Sequence, residues 1–190
     1  MSKTIILDID GTLTDFMTPY VEFLHKLGHT QVDLAKIKSF YFLADFGFGP
    51  EESKDLFYAF VAQGGFRNLK FYPGAITLLA YLKQEGYQIV LATNVPSEGQ
   101  QDRLDLLKEL GVKYDAIHFT PDKHKIVNQY GAHLILEDHP DAIEKCLKET
   151  NAKVAAPRFP YNSHLRHENL IDLGEHPDAL TRLVGHLQYT

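Results

Sequence analysis

The residues of this chain best suited to chemistry are two aspartates, Asp8 and Asp10, which follow a short apolar run near the amino terminus. Successive side chains of a strand point to opposite faces, so both carboxylates would lie on one side while Ile9 points back into the core. Neighbouring carboxylates repel each other, and a divalent cation with oxygen ligands is the simplest source of balancing charge. One carboxylate can then serve as a nucleophile and the other as a proton donor. Gly11 permits the sharp turn that would keep both exposed.

The residues around this pair also carry a family resemblance. An ordinary strand that ends in an Asp-Gly turn would not explain the second aspartate, Thr12 or Asp15. Residues 8–13 (DIDGTL) resemble the first motif, Asp-x-Asp-Gly-Thr/Val, of haloacid dehalogenase-like phosphohydrolases. The resemblance implies that Asp8 attacks phosphorus, that Asp10 acts as acid and base, and that further motifs follow in order.

A second candidate position follows the apolar run 88–92, where the chain continues with Thr93 and Asn94. A hydroxyl at the carboxyl end of a strand, with backbone N–H groups nearby, can hold a phosphoryl oxygen. A simple Thr-Asn turn is the structural alternative. The position resembles the second motif of the family, a Ser or Thr after an apolar strand. This implies that Thr93 stabilises the phosphoryl group and that Asn94 contacts the substrate.

Two lysines, Lys123 and Lys125, stand at the start of a predicted helix and offer a cation for a phosphoryl group. The family places one lysine upstream of its final acidic pair. Lys123 fits this position because one helix and one strand then separate it from that pair. Lys125 is a competing candidate for substrate binding, and one of the two is expected to be an ordinary solvated surface lysine.

An acidic pair, Glu137-Asp138, follows another apolar run and resembles the fourth motif. Relatives usually carry Asp-Asp or Gly-Asp here, with another Asp a few residues further on, so the role of Glu137 stays open. Asp141 is either that further residue or a favourable charge in the first turn of a helix. The resemblance implies a Mg²⁺ ion held by Asp8, by the backbone carbonyl of Asp10 and by Asp138, since this hard cation prefers oxygen ligands.

Strand-like apolar runs alternate with segments of helical period along most of the chain. The runs lie at residues 4–7, 88–92, 117–119, 133–136 and 153–155. The helical stripes between them are Ile76, Leu79 and Leu82; Leu104, Leu107 and Leu110; Ile126, Val127 and Tyr130; and Ile143, Cys146 and Leu147. This alternation predicts right-handed crossovers and a doubly wound, Rossmann-like parallel α/β sheet, which binds ligands at the carboxyl ends of its strands.

Residues 16–69 interrupt this alternation with helical pieces and many aromatic side chains. We predict that residues 1–15 and 70–190 form the α/β core. Residues 16–69 would form a small helical cap inserted after the first strand, as in the family. Phe16 and other aromatic residues of the cap would either stack on a nucleobase or fill the core of the cap.

Four segments narrow the resemblance to the 5′(3′)-deoxyribonucleotidase group. They are Asp15-Phe16, residues 71–75 (FYPGA), Glu137-Asp138 and residues 159–162 (FPYN). The resemblance implies a Mg²⁺-dependent phosphomonoesterase that forms an aspartyl-phosphate on Asp8 and hydrolyses (deoxy)nucleoside monophosphates. The alternatives are a phosphatase of small sugar or glycolate phosphates and a non-catalytic protein that retains the fold.

The composition limits the class of partner. Of 190 residues, 44% are hydrophobic and 23% charged, with a formal net charge of −6 and no basic stripe. We therefore expect a small phosphorylated substrate rather than a nucleic-acid polymer, and no membrane partner, because no apolar run is long enough to span a bilayer. A single cysteine, Cys146, allows no internal disulfide and favours a cytoplasmic protein. The sequence leaves the oligomeric state open.

Overall fold

A parallel sheet of six strands forms the centre of the structure, a computed structural model that describes residues 3–189. The strands are β1 (Thr4–Leu7), β2 (Thr14–Asp15), β3 (Lys70–Phe71), β4 (Gln88–Thr93), β5 (Ala116–Phe119), β6 (Leu134–Leu136), β7 (Lys153–Ala156) and β8 (Leu170–Asp172). The six-stranded sheet has the order β5-β4-β1-β6-β7-β8, and β2 pairs separately with β3 in antiparallel fashion. Strand β1 therefore lies in the middle, between β4 and β6.

The α helices of the described residues are α1 (Met17–Lys26), α2 (Pro50–Ala62), α3 (Ala75–Gln84), α4 (Ser97–Glu109), α5 (Lys123–Tyr130), α6 (Pro140–Glu149) and α7 (Ala179–Gln188). Helices α3 and α7 pack on one face of the six-stranded sheet, and α5 and α6 pack on the other. Two short 3₁₀ helices, Leu34–Lys36 and Phe42–Phe46, lie between α1 and α2. None of the helices within residues 3–189 is long and apolar enough to cross a membrane.

The side chains of β1 pack alternately into two hydrophobic clusters, one on each face of the sheet. Ile5 and Leu7 lie in the cluster that contains Leu78 of α3 and part of α7. Ile6 points the other way, into the cluster that contains Ile143 of α6 and part of α5. This period of two is what a strand buried on both faces requires. The predicted doubly wound parallel α/β fold is confirmed.

Residues 16–69 pack around a third apolar cluster, which is rich in aromatic rings and also includes Val95 and Leu106. Phe23 of α1 meets Phe60 of α2 with the ring centroids 5.5 Å apart. Strands β2 and β3 pair Asp15 with Lys70, so the chain leaves and re-enters the α/β core through one two-stranded ribbon. The division of the chain into core and cap stays a prediction, and this ribbon lies at its two proposed boundaries.

The structure also contains features that the sequence pattern does not predict. Strands β2, β3 and β8 have two or three residues each, which is too short to show an alternation of polar and apolar positions. Two residues of the predicted helical stripes, Ile76 and Leu110, are 52% and 43% exposed. Helix α3 buries Ala75 and Leu78 together with Leu79 and Leu82, so Ile76 is the one residue of its predicted stripe that lies off the buried face.

The packing of α3 predicts a difference in stability between two neighbouring substitutions. Leu78 is fully buried, so Leu78→Ala should lower the free energy of unfolding by about 2–5 kcal/mol. Ile76 is exposed on the same helix, and Ile76→Ala should change it by less than about 0.5 kcal/mol. Denaturant unfolding of the two variants measures both values. Equal losses would contradict the assignment of the buried face of α3.

Candidate active site

The predicted motif residues meet at one edge of the sheet, beyond the carboxyl ends of β1, β4 and β6. Asp8 directly follows β1, and its backbone N–H donates to the carbonyl of Leu136, the last residue of β6, at 3.0 Å. Thr93 is the last residue of β4 and is fully buried. Because β1 is flanked by β4 and β6, the residues that end these strands converge, as they do in other open parallel sheets.

Lys123 is buried between two carboxylates at this edge. Its Nζ lies 2.8 Å from Oδ1 of Asp8 and 2.7 Å from Oε2 of Glu137. Burial alone would lower the pKa of Lys123, but the two carboxylates raise it above the usual range of a lysine. The ammonium group therefore stays charged although only 5% of the residue is exposed.

Glu137, whose role the sequence leaves open, holds Lys123 and the turn after β6 at the same time. Its Oε1 accepts the backbone N–H groups of Asp138 at 3.1 Å and of His139 at 2.9 Å. Its other oxygen faces the ammonium group of Lys123. Because both carboxylate oxygens have fixed partners, Glu137 is well placed to orient the lysine.

Asp138 is fixed by groups that follow β7. The hydroxyl of Tyr161 donates to its Oδ2 at 2.6 Å, and the side-chain amide of Asn162 donates to its backbone carbonyl at 2.9 Å. On another side its carboxylate approaches Gly11, where φ is +76° and a Cβ would come within 2.3 Å of Oδ2. Only glycine fits this approach and this backbone angle, so Gly11 brings the two acidic turns together.

Asp8, Glu137 and Asp138 form a group that can hold a metal ion. One oxygen of each lies within 4.8 Å of the others, and all three residues are buried. Burial raises the pKa of Asp8, against the effect of Lys123, and burial together with Glu137 raises that of Asp138. Lys123 pairs with two of these three carboxylates, and a divalent cation with oxygen ligands would supply further positive charge.

Asp10 lies in a different environment from Asp8. Its Oδ1 accepts the hydroxyl of Thr14 at 3.2 Å and contacts Nη2 of Arg103, while Thr93 donates to Oδ2 at 3.5 Å. The acidic group described above does not include its side chain. Of the predicted metal ligands, the structure brings together the carboxylates of Asp8 and Asp138. The third carboxylate of this group belongs to Glu137 and not to Asp10. A role for the backbone carbonyl of Asp10 stays a prediction.

Arg103 is a member of the site that motif reasoning misses. It lies on α4, is fully buried, and pairs with Asp10. A charged residue within a polar helix is usually solvated, so its type gives no signal. Its spacing does give one, because Gly99, Arg103 and Leu107 follow each other at intervals of one turn and all face inward.

A cavity of about 620 Å³ opens onto these residues. Asp8, Asp10, Thr93, Asn94 and Lys123 are among the residues that line it. Many other lining residues are aromatic side chains of residues 16–69, and they include Phe16, Tyr20, Phe40, Phe48, Phe57 and Phe66. The predicted substrate-binding residues Phe16 and Asn94 therefore border the same space as the acidic group.

Lys125 does not belong to this cavity. Its side chain is 68% exposed, and its Nζ lies 2.6 Å from Oδ2 of Asp122 on the outside of α5. Two positions along a helix correspond to a rotation of more than half a turn, so Lys123 and Lys125 cannot face the same site. The geometry gives no support to the substrate-binding role predicted for Lys125.

Comparison with known proteins identifies the family. Residues 2–156 match the sequence model of the haloacid dehalogenase-like hydrolases. This match covers most of the chain, so the protein belongs to that family. The 5′(3′)-deoxyribonucleotidase group is not distinguished by the match, and no curated protein matches the sequence.

Solved structures support the fold at low sequence identity. A haloacid dehalogenase-like family hydrolase from Streptococcus pneumoniae is 17% identical, with a TM-score of 0.65 and coverage of 99% of this chain and 98% of that one. A hydrolase from Pseudomonas syringae is 19% identical, with a TM-score of 0.60 and coverage of 100% and 99%. CbbY from Rhodobacter sphaeroides in complex with phosphate is 18% identical, with a TM-score of 0.54 and coverage of 90% and 93%.

The two lysines lead to opposite expectations for activity. Lys123→Ala should lower kcat/KM for a phosphate monoester by roughly a hundredfold or more, because it removes the ammonium group that contacts Asp8 and Glu137. Lys125→Ala should leave it nearly unchanged, since exposed ion pairs contribute little. Steady-state kinetics of both variants, with circular dichroism as the check on folding, decide between them. A larger loss in the Lys125 variant would contradict the assignment.

Proposed function

We propose that this protein is a Mg²⁺-dependent phosphomonoesterase that works through an aspartyl-phosphate on Asp8. The observation that carries the proposal is the burial of Asp8 at the floor of a cavity, in contact with Lys123 and beside Glu137 and Asp138. A carboxylate held by a fixed cation is oriented for attack on a phosphate group that enters the cavity. The family is consistent with this chemistry.

The proposed reaction has two steps. An oxygen of Asp8 bonds to the substrate phosphorus, the bond from phosphorus to the ester oxygen breaks, and Asp10 gives its proton to the leaving oxygen. Asp10 then takes a proton from water, whose oxygen bonds to phosphorus and displaces Asp8, so that inorganic phosphate is released. The hydroxyl of Thr93 and the ammonium group of Lys123 stabilise the phosphoryl oxygens in both steps, as positioned dipoles and charges do in other phosphoryl transfers.

The acidic group fits the Mg²⁺ ion of this proposal. Asp8 and Asp138 would hold the ion, together with the backbone carbonyl of Asp10 that the family resemblance implies. Glu137 has both oxygens engaged by Lys123 and by backbone N–H groups, so we assign it to the orientation of Lys123. When bound, Mg²⁺ supplies positive charge that offsets the repulsion between the carboxylates and the substrate phosphate.

Nucleoside monophosphates, including the deoxy forms, are the proposed substrates. A volume of about 620 Å³ falls within the usual range of small-molecule pockets, and aromatic side chains dominate the part of the cavity beyond the acidic group. Phe40 has its ring 3.8 Å from that of His139 and 5.4 Å from that of Tyr161. A flat base could stack on the ring faces that line the cavity there, whereas a small sugar or glycolate phosphate, the alternative substrate class, would leave those faces uncovered.

The nucleophile can be tested by an isosteric change. Asp8→Asn keeps the shape of the side chain but cannot form an acyl phosphate, so turnover of a phosphate monoester should fall below about a hundredth of the parent rate. Asp178→Asn is a matched control, because Asp178 is exposed at the surface near α7. Residual turnover of Asp8→Asn above that level, with the fold intact, would exclude covalent catalysis by Asp8.

The substrate class can be tested by removing one ring. If a base stacks on Phe40, Phe40→Ala should lower kcat/KM for a nucleoside monophosphate, because the activation free energy rises by about 1–3 kcal/mol. The kcat/KM for acetyl phosphate, which has no base, should stay almost unchanged. Tyr58→Ala is the control, since Tyr58 is 40% exposed and does not line the cavity. Parallel losses on both substrates would mean that Phe40 only supports the walls. A parent enzyme that ignores all nucleotides and hydrolyses a sugar phosphate would overturn the substrate assignment.

A further inference from the structure

Arg103 is the largest fully buried side chain within residues 3–189, and the proposed reaction assigns it no role. A buried guanidinium loses its hydration, and this loss costs several kcal/mol unless its donors are paired. Such residues in protein cores usually have most of their N–H groups hydrogen-bonded. The partners of Arg103 therefore indicate what its burial achieves.

The contacts of Arg103 are few and point to Asp10. Its Nη2 donates to Oδ1 of Asp10, and its guanidinium carbon lies 5.1 Å from the centre of the Phe66 ring. Its Nε and Nη1 have no hydrogen-bond partner in the described part of the chain. A purely structural arginine would be expected to donate to several backbone carbonyls, whereas Arg103 donates to a single carboxylate, that of Asp10.

Arg103 reaches Asp10 from outside the cavity. Asp10 lines the cavity, and Arg103 does not. The hydroxyl of Thr14, which also lies 3.1 Å from the carbonyl of Ile9, is 3.2 Å from the carboxylate oxygen that Arg103 contacts, and the hydroxyl of Thr93 is 3.5 Å from the other oxygen. The ion pair with Arg103 is therefore the main restraint on the rotation of this carboxylate, while Arg103 itself stays out of reach of a ligand in the cavity.

Phe66 lies between the guanidinium group of Arg103 and the cavity. The ring is 2% exposed, lines the cavity, and stacks on Phe16 with the centroids 5.9 Å apart. Its close approach to α4 depends on Gly99, where a Cβ would lie 2.6 Å from the ring. The electron-rich face of an aromatic ring also favours a cation beside it. Phe66 thus covers the guanidinium of Arg103, whose side chain is fully buried, while the carboxylate of Asp10 still reaches the cavity.

We propose that Arg103 is a positioning residue, which holds the carboxyl group of Asp10 where it can pass a proton to the leaving oxygen. The inference rests on the proposed phosphomonoesterase function and adds to it a residue that the family motifs do not contain. It predicts a defect confined to proton transfer. Esters whose leaving oxygen needs a proton should depend on Arg103, and esters whose leaving group departs as a stable anion should not.

The test compares two substrates in Arg103→Met, a variant of similar length without charge. The value of kcat/KM reports the first phosphoryl transfer alone, so hydrolysis of the aspartyl-phosphate does not enter. For an alkyl phosphate this value should fall by roughly a hundredfold, the scale of general acid catalysis, while for p-nitrophenyl phosphate it should fall less than about threefold. Asp10→Asn should show the same selectivity. Arg103→Lys retains a charge and one donor, so its loss should be selective and smaller.

Matched controls separate the possible outcomes. Arg67→Met removes an arginine that pairs with Asp105 and Glu109 on the outer side of α4, and it should leave both substrates unaffected. Equal losses on the two esters in Arg103→Met and Arg103→Lys, or no loss on either, would overturn the inference. Weaker inhibition by inorganic phosphate would overturn it too, because it would indicate direct phosphate binding. If Arg103→Met does not fold, the selectivity of Arg103→Lys decides. A parent protein inactive on both esters would instead refute the proposed function itself, and the inference with it.

Discussion

The buried ammonium group of Lys123 is the interaction on which the rest of the site depends. It touches Asp8 and Glu137, and none of the three side chains is more than 6% exposed. A positive charge at the first residue of a helix is unfavourable, so α5 does not itself stabilise this arrangement. The two carboxylates must do so, and each comes from the end of a different strand. The position of Lys123 therefore requires that β1 and β6 be neighbours, which the strand order of the sheet provides.

The adjacency of β1 and β6 also creates an excess of negative charge. It brings Asp138 next to Asp8 and Glu137, and burial raises the pKa of Asp8 and of Asp138. A phosphate dianion would be repelled from such a cluster if Lys123 were its only cation. The same excess attracts a divalent cation, which phosphate can share as a ligand. The cluster of carboxylates would therefore disfavour the binding of phosphate alone and would favour the binding of phosphate together with a metal ion.

The sequence predicts those parts of the structure that depend on strand periodicity. Alternating apolar runs and helices lead to a parallel sheet, and a residue that directly follows a strand then lies at its carboxyl end, as Asp8 and Glu137 do. The orientation of Glu137 could not be predicted, because it depends on hydrogen bonds within a turn. The burial of Arg103 was not predicted, because a charged residue on a helix is typical of a solvated position. Strand β8 was not predicted, although it is as long as β6.

The two aspartates at the end of β1 form ion pairs with two different cationic side chains. Asp8 pairs with Lys123 from α5, and Asp10 pairs with Arg103 from α4. The sequence suggested that one metal ion balances both carboxylates, but the structure gives Asp10 a partner of its own. The two cations also differ in kind. A lysine that lines the cavity is a compact charge that can turn toward a phosphoryl oxygen, whereas a planar guanidinium outside the cavity fixes one geometry. In the proposed reaction Asp8 would bond to phosphorus and Asp10 would act as the acid, and these two tasks would call for two different partners.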